Sequence, residues 1–273
     1  MRVVSWNCRR ATARSGVWDY LLELSPDLAL LQEVSGIPKH IERQYATFQL
    51  YPLGKNGLPQ KFTSAILVRG SIGNPITLQG PAPWVDDELR RFAGNLISVG
   101  LKPDHGPRLK AICVYSPPWP VDQSRLAGVD VSPVRLTQNR DVWVGDLLWA
   151  ALTSLKPEPR DPWIIGGDCN LCETFDAWRG GPRGNREYLD RMGRLGLVDC
   201  LRYAKGALTP TFRTHRGGTI TAQIDYLFVT DLLRASLVSC DTGPRQRVFE
   251  GRLSDHLPIV ADFAIKGAVV SQL

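Results

Sequence analysis

Short uncharged runs rich in aliphatic and β-branched residues recur along the chain, each closed by Gly, Pro or a polar residue. They predict strands at Val3–Ser5, Leu28–Leu31, Ser64–Val68, Asn95–Leu101, Lys110–Tyr115, Trp163–Gly166, Ile220–Val229, Ser236–Ser239 and Ile259–Phe263. Helical spacing of apolar positions instead marks Val17–Leu24, Pro133–Leu155 and Arg186–Leu195. In the middle helix Val134, Val142, Leu147, Leu148, Ala151 and Leu155 supply the apolar face. Pro133 stands near its start, Pro157 lies beyond its end, and only Gly145 interrupts it. Strand-rich blocks with a few helices between them predict a mixed α/β fold of sheets covered by helices.

The strand-like runs end in a repeated way. Asn7 follows Trp6 on the first, Glu33 follows Gln32 at the end of the second, Asp168 and Asn170 follow a third, and Asp225 lies within a fourth. The segment Ser254, Asp255, His256, Leu257, Pro258 precedes the last run. Buried charge is expensive unless it is paired or bound to metal, so this repeated placement points to one shared polar site. Glu33, closing the run Leu28–Leu31, is the first choice of ligand for a hard divalent cation, which takes one or two carboxylates and keeps several waters. Asp168 and Asn170 are separated by one residue, so on extended backbone their side chains point the same way. A carboxylate and an amide so placed can orient a water and hold a phosphate oxygen. Asp225, inside an apolar strand, needs a partner.

Taken in order from Asn7 to Pro258, these residues closely resemble the endonuclease/exonuclease/phosphatase family, which hydrolyses phosphate esters with a divalent metal, usually Mg²⁺ (with Mn²⁺ as a substitute). The resemblance implies a DNase I-like four-layer α/β/β/α sandwich of two mixed sheets flanked by helices. It places Asn7 and Asp255 in or beside the metal site with Glu33, and pairs Asp225 with His256 as carboxylate and imidazole. It also sets Tyr115 on the scissile phosphate and makes Asn7, Tyr115, Asp168, Asn170, Asp225 and His256 the catalytic set. Asp168 and His256 are both candidates for the group that takes the proton from water. Three positions depart from the abasic-site branch of the family: Arg9 replaces an acid, Pro118 replaces an Asn, and Ala222 stands where a Trp is expected.

Charge adds a candidate substrate. The formal net charge is +6, and eight lysines among 33 basic residues leave 25 arginines. A GC-rich coding bias favours Arg, but so does phosphate binding, and the arginines gather in the loops after the motif strands. Arg9, Arg179, Arg183, Arg213, Arg247 and Arg252 are therefore the expected substrate contacts. The leading expectation is a nuclease acting on nucleic acid, DNA ahead of RNA; the alternative is a phosphatase or phosphodiesterase for a small or lipid phosphate. A binding module without catalysis is disfavoured, because none of the family's catalytic residues is missing.

The remaining expectations follow from organisation. Residues near both ends serve one site, and no linker-like stretch divides the chain, so residues 1–265 form one domain with a tail at 266–273. The six cysteines sit mostly in apolar runs and are expected as free thiols; Cys169 and Cys172 have zinc-like spacing, but no second pair follows. The strand at the N-terminus leaves no room for a signal peptide, and no run is long enough for a membrane span. A monomeric cytoplasmic protein is expected.

Overall fold

The computed structural model describes residues 1–178, 183–214 and 222–265. Among them lie β1 (Arg2–Ala11), β2 (Leu28–Val34), β3 (Ala46–Leu50), β4 (Thr63–Val68), β5 (Gly70–Pro75), β6 (Leu96–Pro103), β7 (Leu109–Tyr115), β8 (Trp163–Asp168), β9 (Leu197–Asp199), β10 (Asp225–Thr230), β11 (Leu237–Thr242) and β12 (Ile259–Phe263). They form two six-stranded sheets, ordered β11-β12-β1-β2-β4-β3 and β5-β6-β7-β8-β10-β9. Each is mixed: β1 runs parallel to β2 and β7 parallel to β8, while the other pairings are antiparallel. The helices are α1 (Val17–Leu24), α2 (Lys39–Glu42), α3 (Pro83–Arg91), α4 (Val144–Leu155), α5 (Asn185–Arg194), α6 (Cys200–Lys205) and α7 (Asp231–Arg234).

The alternation of side chains along each central strand makes the layers. On β1 and β2, Val3, Leu28 and Leu30 point into a core shared with Ala111 and Cys113 of β7 and Leu227 and Val229 of β10. Their neighbours Val4, Trp6, Ala29 and Leu31 point the other way, onto Val17, Trp18 and Leu21 of α1. On β7, Ile112 and Val114 likewise turn outward to Leu147, Leu148 and Ala151 of α4 and to Tyr188 and Met192 of α5. Strands apolar on both faces are what a sheet covered on both sides requires. The result is the expected α/β/β/α sandwich.

Several elements differ from expectation. The helix over Pro133–Leu155 begins only at Val144, where the Asp146 carboxylate accepts the Trp143 backbone N–H at 2.8 Å and caps the helix. Residues 133–143 are turns, held by the Asn139 side chain, which accepts from the Asp141 N–H at 3.1 Å and donates to the Arg183 carbonyl at 3.2 Å. Val134, Leu136 and Val142 are still core residues, so burial was legible there and helicity was not. The strand expected over Ile220–Val229 starts at Asp225, and its first two residues lie outside the described set. The tail at 266–273 lies outside it as well. All six cysteines are free and buried. No helix among the described residues is long and apolar enough to cross a membrane.

Candidate active site

Three of the expected residues lie side by side in the second sheet. Tyr115 ends β7, Asp168 ends β8 and Asp225 opens β10; the register pairs Tyr115 with Asp168 and Asp168 with Asp225. The first sheet brings Asn7 on β1 and Glu33 on β2 to the same place. Asn7 joins the two sheets: its amide donates to Asp168 Oδ2 at 2.9 Å and to Glu33 Oε1 at 3.4 Å. Asn170, just beyond β8, donates through Nδ2 to the Ser116 carbonyl at 2.7 Å and to Asp168 Oδ2 at 3.2 Å, while its backbone N–H reaches Asp168 Oδ1 at 2.9 Å.

His256 enters from the segment before β12. Its Nδ1 lies 3.1 and 3.0 Å from the two Asp225 oxygens. The segment itself is tied to β1: the Trp6 indole donates to the His256 carbonyl at 2.8 Å, and the Ser254 hydroxyl donates to the Asn7 carbonyl at 2.7 Å while accepting the His256 N–H at 3.1 Å. Thr211 completes the pair by donating to Asp225 Oδ2 at 2.7 Å and accepting the backbone N–H of Asp225 at 3.2 Å. A Thr fourteen residues before a buried Asp carries no local signal, and neither do the tethers from Trp6 and Ser254. Those roles exist only once β1, β10 and the C-terminal segment have met.

The electrostatics follow from burial. Asp168 is raised above the ordinary carboxylate range, chiefly by desolvation and then by the charge of Asp225, against the opposing pull of His256 and the hydrogen bonds from Asn7 and Asn170. For His256, burial opposes the charged ring. The charge and hydrogen bond of Asp225, with Asp168 and Asp255 behind, outweigh that cost and raise its pKa. Tyr115 is raised by burial and by the adjacent Glu33 and Asp168 carboxylates, so it is a neutral hydroxyl donor. One possible ligand atom each from Asp168, Asp225 and His256 lies within 4.8 Å of the others, the grouping that could hold a cation. Because Nδ1 faces Asp225, the ring offers that nitrogen to a carboxylate and not to an ion; the hard oxygen donors of Glu33, Asn7 and Asp255 have the chemistry that fits a divalent ion.

The backbone around these residues is unusual. Arg9, Arg10 and Glu33 have φ of 48°, 57° and 54°, Asn170 has 49° and Arg252 has 56°. Left-handed backbone at non-glycine residues costs free energy and gathers where a site demands a particular side-chain direction. The β1–β2 register breaks between Asn7 and Ala11 in the same place.

The arginines divide. Arg9 donates its N–H to Asn7 Oδ1 at 3.0 Å and sets Nε 3.6 Å from Asp255 Oδ2; Arg10 Nε lies 3.9 Å from Glu33 Oε2. Arg213 donates its backbone N–H to the Asp255 carbonyl at 2.9 Å, with its guanidinium 4.6 Å from the Phe249 ring. Arg183 lines a cavity with Ser116 and Asn170, and Arg252 is exposed. Arg247 is not brought to the site by its contacts: its guanidinium bonds Glu23 of α1 and covers the Tyr20 ring. Arg179 lies outside the described residues.

Comparison with known proteins identifies the family and the fold. A family model described as Endonuclease/Exonuclease/phosphatase family matches residues 4–256. No curated protein matches the sequence. An AP endonuclease from Archaeoglobus fulgidus superposes with a TM-score of 0.70 at 18% identity, covering 97% of this chain and 100% of that one. A 3'-5' exonuclease from Neisseria meningitidis gives 0.66 at 17% identity, covering 96% and 99%. A Neisseria 3' phosphatase bound to a product DNA hairpin gives 0.66 at 18% identity, with the same coverage. These likenesses are of fold.

Proposed function

The chain belongs to the endonuclease/exonuclease/phosphatase family, and from that premise we propose that it is a Mg²⁺-dependent nuclease cutting phosphodiester bonds of nucleic acid, DNA in preference to RNA. The observation that carries the reading is the single connected set that runs from Glu33 through Asn7 to Asp168 and Asn170, with the Asp225–His256 pair beside it. The structural neighbours named as an exonuclease, an AP endonuclease and a DNA-bound phosphatase support DNA as the substrate class.

Glu33, Asn7 and Asp255 would hold the ion. When bound, it supplies neutralisation of charge on the phosphate and on the leaving oxygen. Asp168, raised above the ordinary carboxylate range, accepts a proton from the attacking water as its oxygen bonds to phosphorus and the P–O bond to the leaving group breaks. Asn170, held by the Ser116 carbonyl, positions that water or a phosphate oxygen. His256 remains protonated beside Asp225, so it serves as a cationic donor to a phosphate oxygen, and the base is Asp168. The neutral Tyr115 hydroxyl is a second donor. Arg9, beside the Asp255 carboxylate, and Arg213, whose backbone adjoins Asp255, would bind flanking phosphates.

Incubation with plasmid, single-stranded DNA, RNA and inositol phosphates, in Mg²⁺ and then in EDTA, tests this reading. Cleavage of nucleic acid that EDTA stops is the expected result. Phosphate release from the small substrates with nucleic acid left intact would replace the nuclease by a phosphatase.

A further inference from the structure

Beyond Asn170 the chain makes a tight turn over Glu173–Ala177. Cys172, Ala222 and Ile224 are buried beneath it, and Phe175 and Phe212 both pack against this small cluster. The Phe212 ring lies 4.8 Å from the His256 imidazole. On the other side, the Phe175 ring lies 4.1 Å from the Trp178 indole at an interplanar angle of 38°. A run of aromatic and apolar side chains thus leads outward from the phosphate-binding histidine and finishes on an indole that is 52% exposed.

A lone exposed aromatic is ordinary on a protein surface. This one packs at a tilt against Phe175, joins the site through the Cys172–Ala222–Ile224 cluster, and sits on a turn held by polar contacts. Asp176 accepts the backbone N–H groups of Asn185 and Arg186 at 3.0 and 2.9 Å, fastening the turn to the start of α5. Glu173 adds ion pairs with Arg186, at 2.8 Å, and with Arg202. An indole held this way loses little conformational freedom when something flat is laid on it.

We propose that Trp178, backed by Phe175, is a stacking platform for an unpaired nucleobase of the strand whose phosphate lies at His256. The proposal rests on the nuclease reading and deepens it, because it makes a base-bearing, frayed or single-stranded segment the preferred substrate. The next groups along a strand from the bound phosphate are a sugar and a planar base. A rising series of rings suits that flat face, and stacking tolerates every base because each presents a π surface.

Binding by the full chain in EDTA, which prevents cleavage, supplies the test. Fluorescence anisotropy would compare labelled oligothymidylate with a base-free polymer of the same length built on tetrahydrofuran sugars. Trp178→Ala is expected to weaken binding of oligothymidylate about tenfold, leave the base-free polymer unchanged, and be rescued by Trp178→Phe. Equal loss on both polymers, or no loss on either, overturns the platform. Equal binding of the two polymers by the wild-type protein also overturns it while leaving the nuclease reading intact. Failure of the wild-type protein to bind either sinks both.

Discussion

The two sheets contribute to the site in opposite ways. The second sheet places Tyr115, Asp168 and Asp225 in neighbouring positions of an unbroken register, and burial there raises Asp168 and hides Asp225. The first sheet reaches the site through a broken register and three left-handed residues, Arg9, Arg10 and Glu33, whose side chains stay closer to solvent. The regular half is suited to holding charge and protons in a fixed, dry geometry. In the proposed reading, the distorted half would present its more exposed groups to an ion and to phosphates. Three left-handed non-glycine residues, Arg9, Arg10 and Glu33, lie on the first sheet, against Asn170 alone just beyond β8 of the second.

The largest effect is expected in the regular half. Asp168→Asn should lower kcat by about a thousandfold, the scale for losing a general base in a preorganised site; activity within tenfold of wild type would mean that the proton goes elsewhere. The wild-type pH–rate profile should match. Its acid limb lies above the ordinary carboxylate range, because Asp168 must be deprotonated and its pKa is raised. Its alkaline limb lies above the ordinary histidine range, because His256 must stay charged and its pKa is raised too. Asp225→Asn should move that alkaline limb toward neutral pH.

In the distorted half, Glu33→Gln should raise the Mg²⁺ concentration needed for half-maximal rate by about ten- to a hundredfold, with much of kcat recovered at saturation. A titration showing unchanged metal dependence would remove Glu33 from the ion.

An effect on stability sharpens the contrast in dryness. Asp146 lies behind the second sheet at the start of α4, and burial pushes it up to about 7. Because its folded value exceeds the unfolded one, the penalty is absent in acid, grows as pH rises through the ordinary carboxylate range, and is complete above the folded value. Asp146→Asn should therefore stabilise the protein by up to roughly 4 kcal/mol at about pH 8 and by little at about pH 4, as read from denaturant unfolding.

The smallest expected change tests the strain itself. Arg10→Gly, which accepts the left-handed conformation freely, should raise stability by about 0.5–1 kcal/mol while weakening substrate binding. A loss of stability would show that Arg10 contributes more through its contacts with Glu33 and the Phe62 ring than its backbone costs.

How much of this was legible in the sequence follows the same division. Asp168 and Asp225 could be expected together because one closes an apolar run and the other lies within one, and such runs announce themselves; that Asp225 opens its strand was not legible. Several outer elements did not announce themselves, although the edge strand β11 was expected in part at Ser236–Ser239. β3 and β5 are edge strands with half-exposed and exposed residues, and β5 carries two glycines, an asparagine and a proline, a poor strand signal that an edge tolerates. The helix α3 buries only Val85, Glu88 and Leu89, too sparse a stripe to read. Helicity was overread at 133–143 because its apolar spacing reflected burial alone. The basic rim was legible as composition but not as direction: Arg9 borders Asp255, whereas Arg247 turns to Glu23.

The tether from Trp6 to the His256 carbonyl spans 250 positions of sequence, and β1 lies between β12 and β2 in its sheet. During synthesis the first strand must therefore wait until β12, at Ile259–Phe263, has emerged before its second edge is covered. Contacts of such long separation make folding slow and leave a strand edge exposed meanwhile. In refolding, helical and β signals should return well before hydrolytic competence, because the site closes only when the segment at 254–258 docks on β1.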